Sequence, residues 1–163
     1  MTSPIVSRSG DHSKFRGKYR IASARCPGWD YSRPGWYFVT ICTKDRIQNL
    51  SNIEEGRVVL SEIGCIVAEE WSKTPKVRRS VELGPYVVMP DHVHGLIFQT
   101  EGAVALGRTV NQIKSAATKR IRALLDPQFT WQARYHDRII RDEAEFDRIC
   151  RYIRDNPRRW ESI

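Results

Sequence analysis

Val81-Glu82-Leu83-Gly84-Pro85-Tyr86-Val87-Val88-Met89-Pro90-Asp91-His92-Val93-His94-Gly95-Leu96-Ile97-Phe98 is the stretch from which the fold can be worked out. Both halves are rich in β-branched and aromatic residues, which suit a pleated surface, and Pro90-Asp91 between them has turn chemistry. The stretch predicts two strands, Val81 to Met89 and His92 to Phe98, joined by a tight turn. Alternate strand residues point to opposite faces, so His92 and His94 share one side of the sheet and Val93 takes the other.

Upstream, Trp36-Tyr37-Phe38-Val39-Thr40-Ile41-Cys42-Thr43 is aromatic or β-branched almost throughout and predicts another strand. Glu54 to Leu60 suggests a turn and a short strand. Ser61 can then cap a helix whose apolar residues Ile63, Ile66, Val67 and Trp71 recur at helical spacing, with Pro75 expected to end it. Downstream, Gly102 to Gly107 reads as a loop. Val110, Ile113, Ala117, Ile121 and Leu124 trace one face of a second helix, and Trp131 to Ile140 is expected to form a strand.

The last helix has the clearest boundaries. Asp142 is a good N-cap, Glu143 and Glu145 suit the positive end of the helix dipole, and Phe146, Ile149, Cys150 and Ile153 form an apolar stripe. Pro157 is expected to stop it and leave Asn156 at its end. Strand, helix, strand, strand, helix, strand, then one helix more, is the order of an α+β fold. The expectation is a ferredoxin-like antiparallel sheet with helices on one face and an added C-terminal helix.

The 163 residues fit one domain, expected over residues 25–163 behind a basic, mobile N-terminal arm of residues 1–24. At 40% hydrophobic the chain can build a core, yet no apolar run approaches the ~20 residues that span a bilayer. The N-terminus lacks the apolar stretch of a secretion signal, so neither secretion nor a membrane partner is expected, and a cytoplasmic location is. Cys26, Cys42, Cys65 and Cys150 are scattered without a C-x-x-C pair and read as small apolar residues.

Charge says more. Twenty-seven basic residues against nineteen acidic give a net +8, which attracts polyanions, nucleic acid foremost. Arg134, Arg138, Arg141, Arg148, Arg151, Arg154, Arg158 and Arg159 crowd the last thirty residues. The planar guanidinium fork suits bidentate phosphate contacts, which a solubility device would not need. Lys114, Lys119 and Arg120 of the second helix, these C-terminal arginines, with Arg151 and Arg154 among them, and the N-terminal arm are the expected DNA contacts. Trp29, Tyr31 and Trp36 could stack on unpaired bases, although core packing is the plainer role for each.

Two imidazoles converging on one spot form half a metal site, although a bare H-x-H is commonly no more than two polar residues on a strand. Tyr152 and Asn156 lie about 40° apart on one edge of the last helix. Taken alone they could be a rim tyrosine and a C-terminal cap. Tyr86, and Tyr135 beside His136, are other tyrosines near these segments, but neither has a metal-capable partner one helical turn away.

Together these stretches resemble a known family. Pro27-Gly28-Trp29-Asp30-Tyr31-Ser32, Tyr37 to Thr43, Val87 to Gly95, Trp131-Gln132, Ile139 to Glu143 and Tyr152-Ile153-Arg154-Asp155-Asn156-Pro157 are similar to the REP-associated tyrosine transposases, bacterial members of the single-tyrosine HUH superfamily. The resemblance implies an enzyme that cuts and rejoins single-stranded, hairpin-bearing DNA, with repetitive extragenic palindromes as the expected target. It implies His92 and His94 as metal ligands, Tyr152 as nucleophile and Asn156 as the third ligand. Two imidazoles and an amide bring no negative charge, so a divalent ion, Mg2+ or Mn2+, would be held loosely and share its sphere with DNA phosphate and water. A tyrosyl ester conserves phosphodiester energy for rejoining, but phenols titrate near 10, so deprotonation at pH 7 costs about 4 kcal/mol.

Relatives can be homodimers with shared sites, so the tyrosine helix could serve its own chain or a partner's. Two other readings share the charge argument: a non-catalytic regulator that binds DNA hairpins on the same fold, and an RNA-binding module, which leaves the paired histidines unexplained.

Overall fold

The computed structural model describes residues 29–161, together with the backbone of β1 (Lys14–Phe15) and β2 (Lys18–Tyr19), which pair as a short antiparallel ladder. The expected mobility of the N-terminal arm otherwise lies outside the described residues, as does Cys26.

The central sheet is built from β3 (Gly35–Cys42), β6 (Val81–Val88), β7 (His92–Gln99) and β8 (His136–Ile139) in the order β6-β7-β3-β8, antiparallel throughout. With α1 (Glu62–Ser72) and α3 (Leu106–Leu124) as the crossovers, this is the expected ferredoxin-like arrangement. A hairpin of β4 (Ser51–Glu54) and β5 (Arg57–Leu60) is inserted before α1, its turn placing Glu55 and Gly56 at positive φ.

The sheet has two differently used faces. Tyr37, Val39 and Ile41 of β3 and Val93 and Ile97 of β7 point into one core, filled from above by Ile66, Val67 and Trp71 of α1 and Val110, Ile113, Ala117 and Ile121 of α3. Gly95 sits where Trp71 lies flat on β7: a Cβ there would come within 2.1 Å of the indole. The alternate residues Trp36, Leu96 and Phe98 point the other way and meet Phe146, Ile149 and Ile153 of α4 (Glu143–Glu161).

α4 is tied down at its start. Asp142 accepts a hydrogen bond from the Glu145 backbone N–H at 2.8 Å, the expected N-cap. Glu145, 2% exposed, accepts from Arg138 Nε of β8 at 2.6 Å and from Arg141 Nε at 3.3 Å. A buried carboxylate between two guanidinium groups therefore fixes the helix to the edge strand.

Three sequence expectations are corrected. Pro157 does not end α4: it forfeits only the bond from its own nitrogen to the Ile153 carbonyl, lies buried, and the helix runs one turn further to Glu161. The first helix stops at Ser72, before Pro75, which instead occupies the first turn of the short α2 (Thr74–Val77), where no donor is missed. Of the strand expected over Trp131 to Ile140, only His136–Ile139 is regular, and Trp131 makes an isolated bridge to Thr43.

Candidate active site

Period-two alternation carries His92 and His94 to the face that α4 covers, at the end of β7 away from Leu96 and Phe98. Their ring centroids stand 4.4 Å apart at 70°. Each ring is held by its Nδ1. His92 Nδ1 lies 2.6 Å from Asp91 Oδ1, and His94 Nδ1 lies 2.7 Å from Oγ1 of Thr40, the residue paired with it across the β3–β7 ladder. With Nδ1–H directed at these oxygens, the Nε2 lone pair of each ring is left for a ligand.

Asp91 is itself fixed. Arg46 donates to it through Nε at 2.9 Å and Nη2 at 3.3 Å, from a short turn in which Asp45 and Arg46 both take positive φ (54° and 55°). Two successive non-glycine residues in that region cost energy, which the Arg46–Asp91 pair helps to offset. Burial pushes the Asp91 carboxyl up, but the hydrogen bonds and charges of Arg46 and His92 outweigh it and hold the group below the usual carboxylate range. Burial pushes the His92 imidazole down, only partly countered by Asp91. Burial, reinforced by the charges of His92 and Arg46, takes His94 down to about 3. Both rings are thus neutral donors near neutral pH.

Helix α4 supplies the rest. The Tyr152 ring lies 5.4 Å from that of His94 and 6.2 Å from Phe38, edge-on to both. Its hydroxyl makes no hydrogen bond among the described residues. Tyr152, Asn156, Arg159 and Trp160 line one cavity of about 430 Å3 with His92, His94, Thr40, Cys42, Arg46 and His136. Asn156 is buried, and no three His, Cys, Asp or Glu side chains converge among the described residues. The side chains that could hold a divalent ion here are the two imidazoles and the Asn156 amide, a set that suits a borderline or hard ion held without net protein charge.

All four residues expected at the site, His92, His94, Tyr152 and Asn156, thus meet within one chain. The rival tyrosines do not join them. Tyr86 is stacked on Trp71 at 5.7 Å, and Tyr135 packs against the same core, both on the opposite face of the sheet. Burial pushes the Tyr135 phenol up to about 12, away from nucleophilic use.

The expected DNA contacts are dispersed. Lys114, Lys119 and Arg120 ride on α3, across the sheet from the histidines. Arg120 is engaged by Glu69 at 2.8 Å and Glu70 at 3.2 Å on α1, so its charge is matched internally. Lys114 donates to the Gln132 carbonyl at 2.7 Å, and burial lowers its pKa. Lys119 is exposed beside Lys114 in a groove with Arg122 and Gln132. Arg151 and Arg154 are exposed on α4, Arg154 beside Asp155 at 3.2 Å.

Thr40, Arg46, His136 and Trp160 belong to the cavity with no signal of it in the sequence reading, and Arg159, expected only as one of the C-terminal arginines, joins them. Thr40 and His136 follow only from strand register, in which His136 pairs with Thr40 and Thr40 with His94. Arg159 and Trp160, seven and eight residues beyond Tyr152, follow from helical spacing once the helix passes Pro157.

Residues 35–156 match the family described as IS200-like transposase, and the chain belongs to that family of DNA-processing enzymes. Among its relatives is a Haemophilus influenzae protein of uncharacterised function, 28% identical over 89% of this chain and 92% of its own. Among solved structures, a REP-associated tyrosine transposase bound to a REP hairpin shares the fold with a TM-score of 0.64, at 22% identity over 82% of this chain and 72% of that one. A Deinococcus radiodurans chain solved as a candidate transposase matches at 0.53, with 23% identity over 79% of this chain and 95% of its own. No described helix is long and apolar enough to cross a membrane.

Proposed function

We propose that this protein is a metal-dependent, single-tyrosine strand transferase that cuts and rejoins single-stranded DNA carrying a hairpin, acting in the bacterial cytoplasm through one catalytic domain spanning residues 25–163. The observation that carries the reading is the shared cavity: a phenol with an uncommitted hydroxyl next to two imidazoles whose Nδ1 atoms are both engaged. A hairpin substrate is supported by the fold shared with the transposase solved on a REP hairpin.

Tyr152 Oη forms a bond to the scissile phosphorus as the P–O3′ bond breaks. The phenolic proton passes to water, water protonates the departing O3′, a free 3′-hydroxyl leaves, and the 5′-phosphate stays on the tyrosine. Attack by a second 3′-hydroxyl reverses the ester and rejoins a strand. Mg2+ or Mn2+, held by His92, His94 and Asn156, would supply Lewis-acid polarisation of the phosphate. Thr40 and Asp91 keep the two ring nitrogens aimed, while Phe38 and His94 hold the tyrosine ring edge-on. In this reading Tyr152 serves the histidines of its own chain, with which it shares the cavity.

The test is incubation with single-stranded hairpin oligonucleotides and Mn2+, followed by denaturing electrophoresis. A covalent protein–DNA adduct is expected, lost with chelator and in Tyr152→Phe. An adduct that persists in Tyr152→Phe would remove the nucleophile, and hairpin binding indifferent to chelator with no adduct under any metal would leave a non-catalytic regulator.

A further inference from the structure

The family match ends at residue 156, yet α4 continues to Glu161 and puts two more side chains into the cavity. At ~100° per residue, Arg159 lies about 20° from Tyr152 around the helix, nearly in line with it two turns on. Its guanidinium carbon stands 5.7 Å from the centre of the Tyr152 ring, while Trp160 closes the far side with its ring 6.2 Å from His92.

The charge environment of Arg159 differs from that of four other arginines nearby. Arg46 is matched by Asp91, Arg138 and Arg141 by Glu145, and Arg154 by Asp155. Among the described residues Arg159 has no carboxylate partner, and none of the side chains lining the cavity is an Asp or Glu. Arg46, the other arginine there, is paired with Asp91, so among the described residues the guanidinium of Arg159 is the one left without a carboxylate. It is exposed, so it bears little desolvation penalty while unpaired.

We infer that Arg159 binds the phosphate that Tyr152 attacks, its planar fork spanning the non-bridging oxygens; the inference rests on the strand-transfer reading above. The same charge beside the phenol ring favours the phenolate as it forms. Arg159 is thus a catalytic residue contributed by a helical turn beyond the family match.

The test uses the full chain and a hairpin oligonucleotide whose cut position has been read from the 3′-hydroxyl product. Its scissile phosphate is then left native or replaced by an uncharged methylphosphonate, and affinity is measured with chelator in the Tyr152→Phe background. With Arg159 present, neutralising that phosphate should weaken binding roughly tenfold or more, as expected for a charge-assisted contact. In Arg159→Gln the native oligonucleotide should already bind that much more weakly, and neutralisation should cost nothing further. With Tyr152 restored, cleavage should fall about 10²–10³-fold in Arg159→Gln and recover in part in Arg159→Lys. An equal loss on neutralisation with and without Arg159 overturns the inference while leaving strand transfer intact. A wild-type chain that neither cuts nor binds hairpin DNA removes both. Unchanged thermal unfolding of both variants separates the effect from a folding defect.

Discussion

Strand β7 shows two uses of one backbone. On the face covered by α1 and α3, Val93, Gly95 and Ile97 pack into a closed apolar core, with Trp71 laid across Gly95. On the face covered by α4, Leu96 and Phe98 pack, while His92 and His94 are held by hydrogen bonds and look into a cavity. Neighbouring residues along one strand are thus committed to stability and to chemistry by nothing more than the pleat. A change on one face should leave the other nearly untouched, and that separation can be attacked from either side.

The largest effect expected is on the chemical face. Tyr152→Phe keeps the ring contacts with His94 and Phe38 and removes only a hydroxyl that makes no hydrogen bond among the described residues. Covalent adduct formation should vanish, while unfolding free energy stays within about 0.5 kcal/mol of the parent. A large loss of stability on denaturant unfolding would show the hydroxyl to be structural and break the separation.

The structural face should behave in the opposite way. A methyl group at Gly95 would lie 2.1 Å from the Trp71 ring, buried where neither β7 nor α1 can yield easily. Gly95→Ala should therefore cost about 3 kcal/mol by overpacking, read as a fall in the denaturation midpoint. Whatever fraction stays folded should keep its Mn2+ affinity, since His92 and His94 are held from the other side. Selective loss of metal binding in a protein of normal stability would contradict this.

Asp91→Ala tests how sharply the site's own support is divided from the core. Asp91 orients His92 and neutralises Arg46, so its removal leaves a free rotor and a positive charge near the proposed metal position. Mn2+ affinity, read by titration calorimetry or electron paramagnetic resonance, should fall about 10–100-fold. An unchanged affinity would mean that packing alone orients His92.

The two faces also differed in how far they could be read from sequence. The apolar face and the strand and helix order follow from hydrophobic periodicity in Tyr37 to Ile41, Val110 to Ile121 and Phe146 to Ile153. His92, His94, Tyr152 and Asn156 follow from spacing and from resemblance to relatives. Thr40, Arg46 and His136 could not be reached that way, because their roles depend on which strands pair and in what register, and on a strained turn. Arg159 and Trp160 were hidden by a local rule. Proline usually ends a helix, but a single forfeited hydrogen bond near the end of α4 was too small to do so once Pro157 and Asn156 were buried.

A change of pH separates the faces without touching the core. Folding holds His94 at about 3 against 6.5 for the free side chain, and moves His92 in the same direction. Between these values the unfolded chain takes up protons that the folded chain refuses. The histidines' share of stability is therefore whole above pH 6.5 and drains away as pH falls toward 3, with each such ring removing up to about 1.4 kcal/mol per pH unit. Asp91 has the same sign, because its folded pKa is also lowered, but its unfolded value of 3.8 confines its effect to the acid end. The span from pH 6.5 to about 4.5 thus isolates the imidazoles. Denaturant unfolding across it should show a slope that becomes shallower in His94→Gln, whose side chain can still meet Thr40 and does not titrate. If the slope were the same in both proteins, the His94 ring would be taking up its proton in the folded state, and it would not be the neutral donor that the cavity requires.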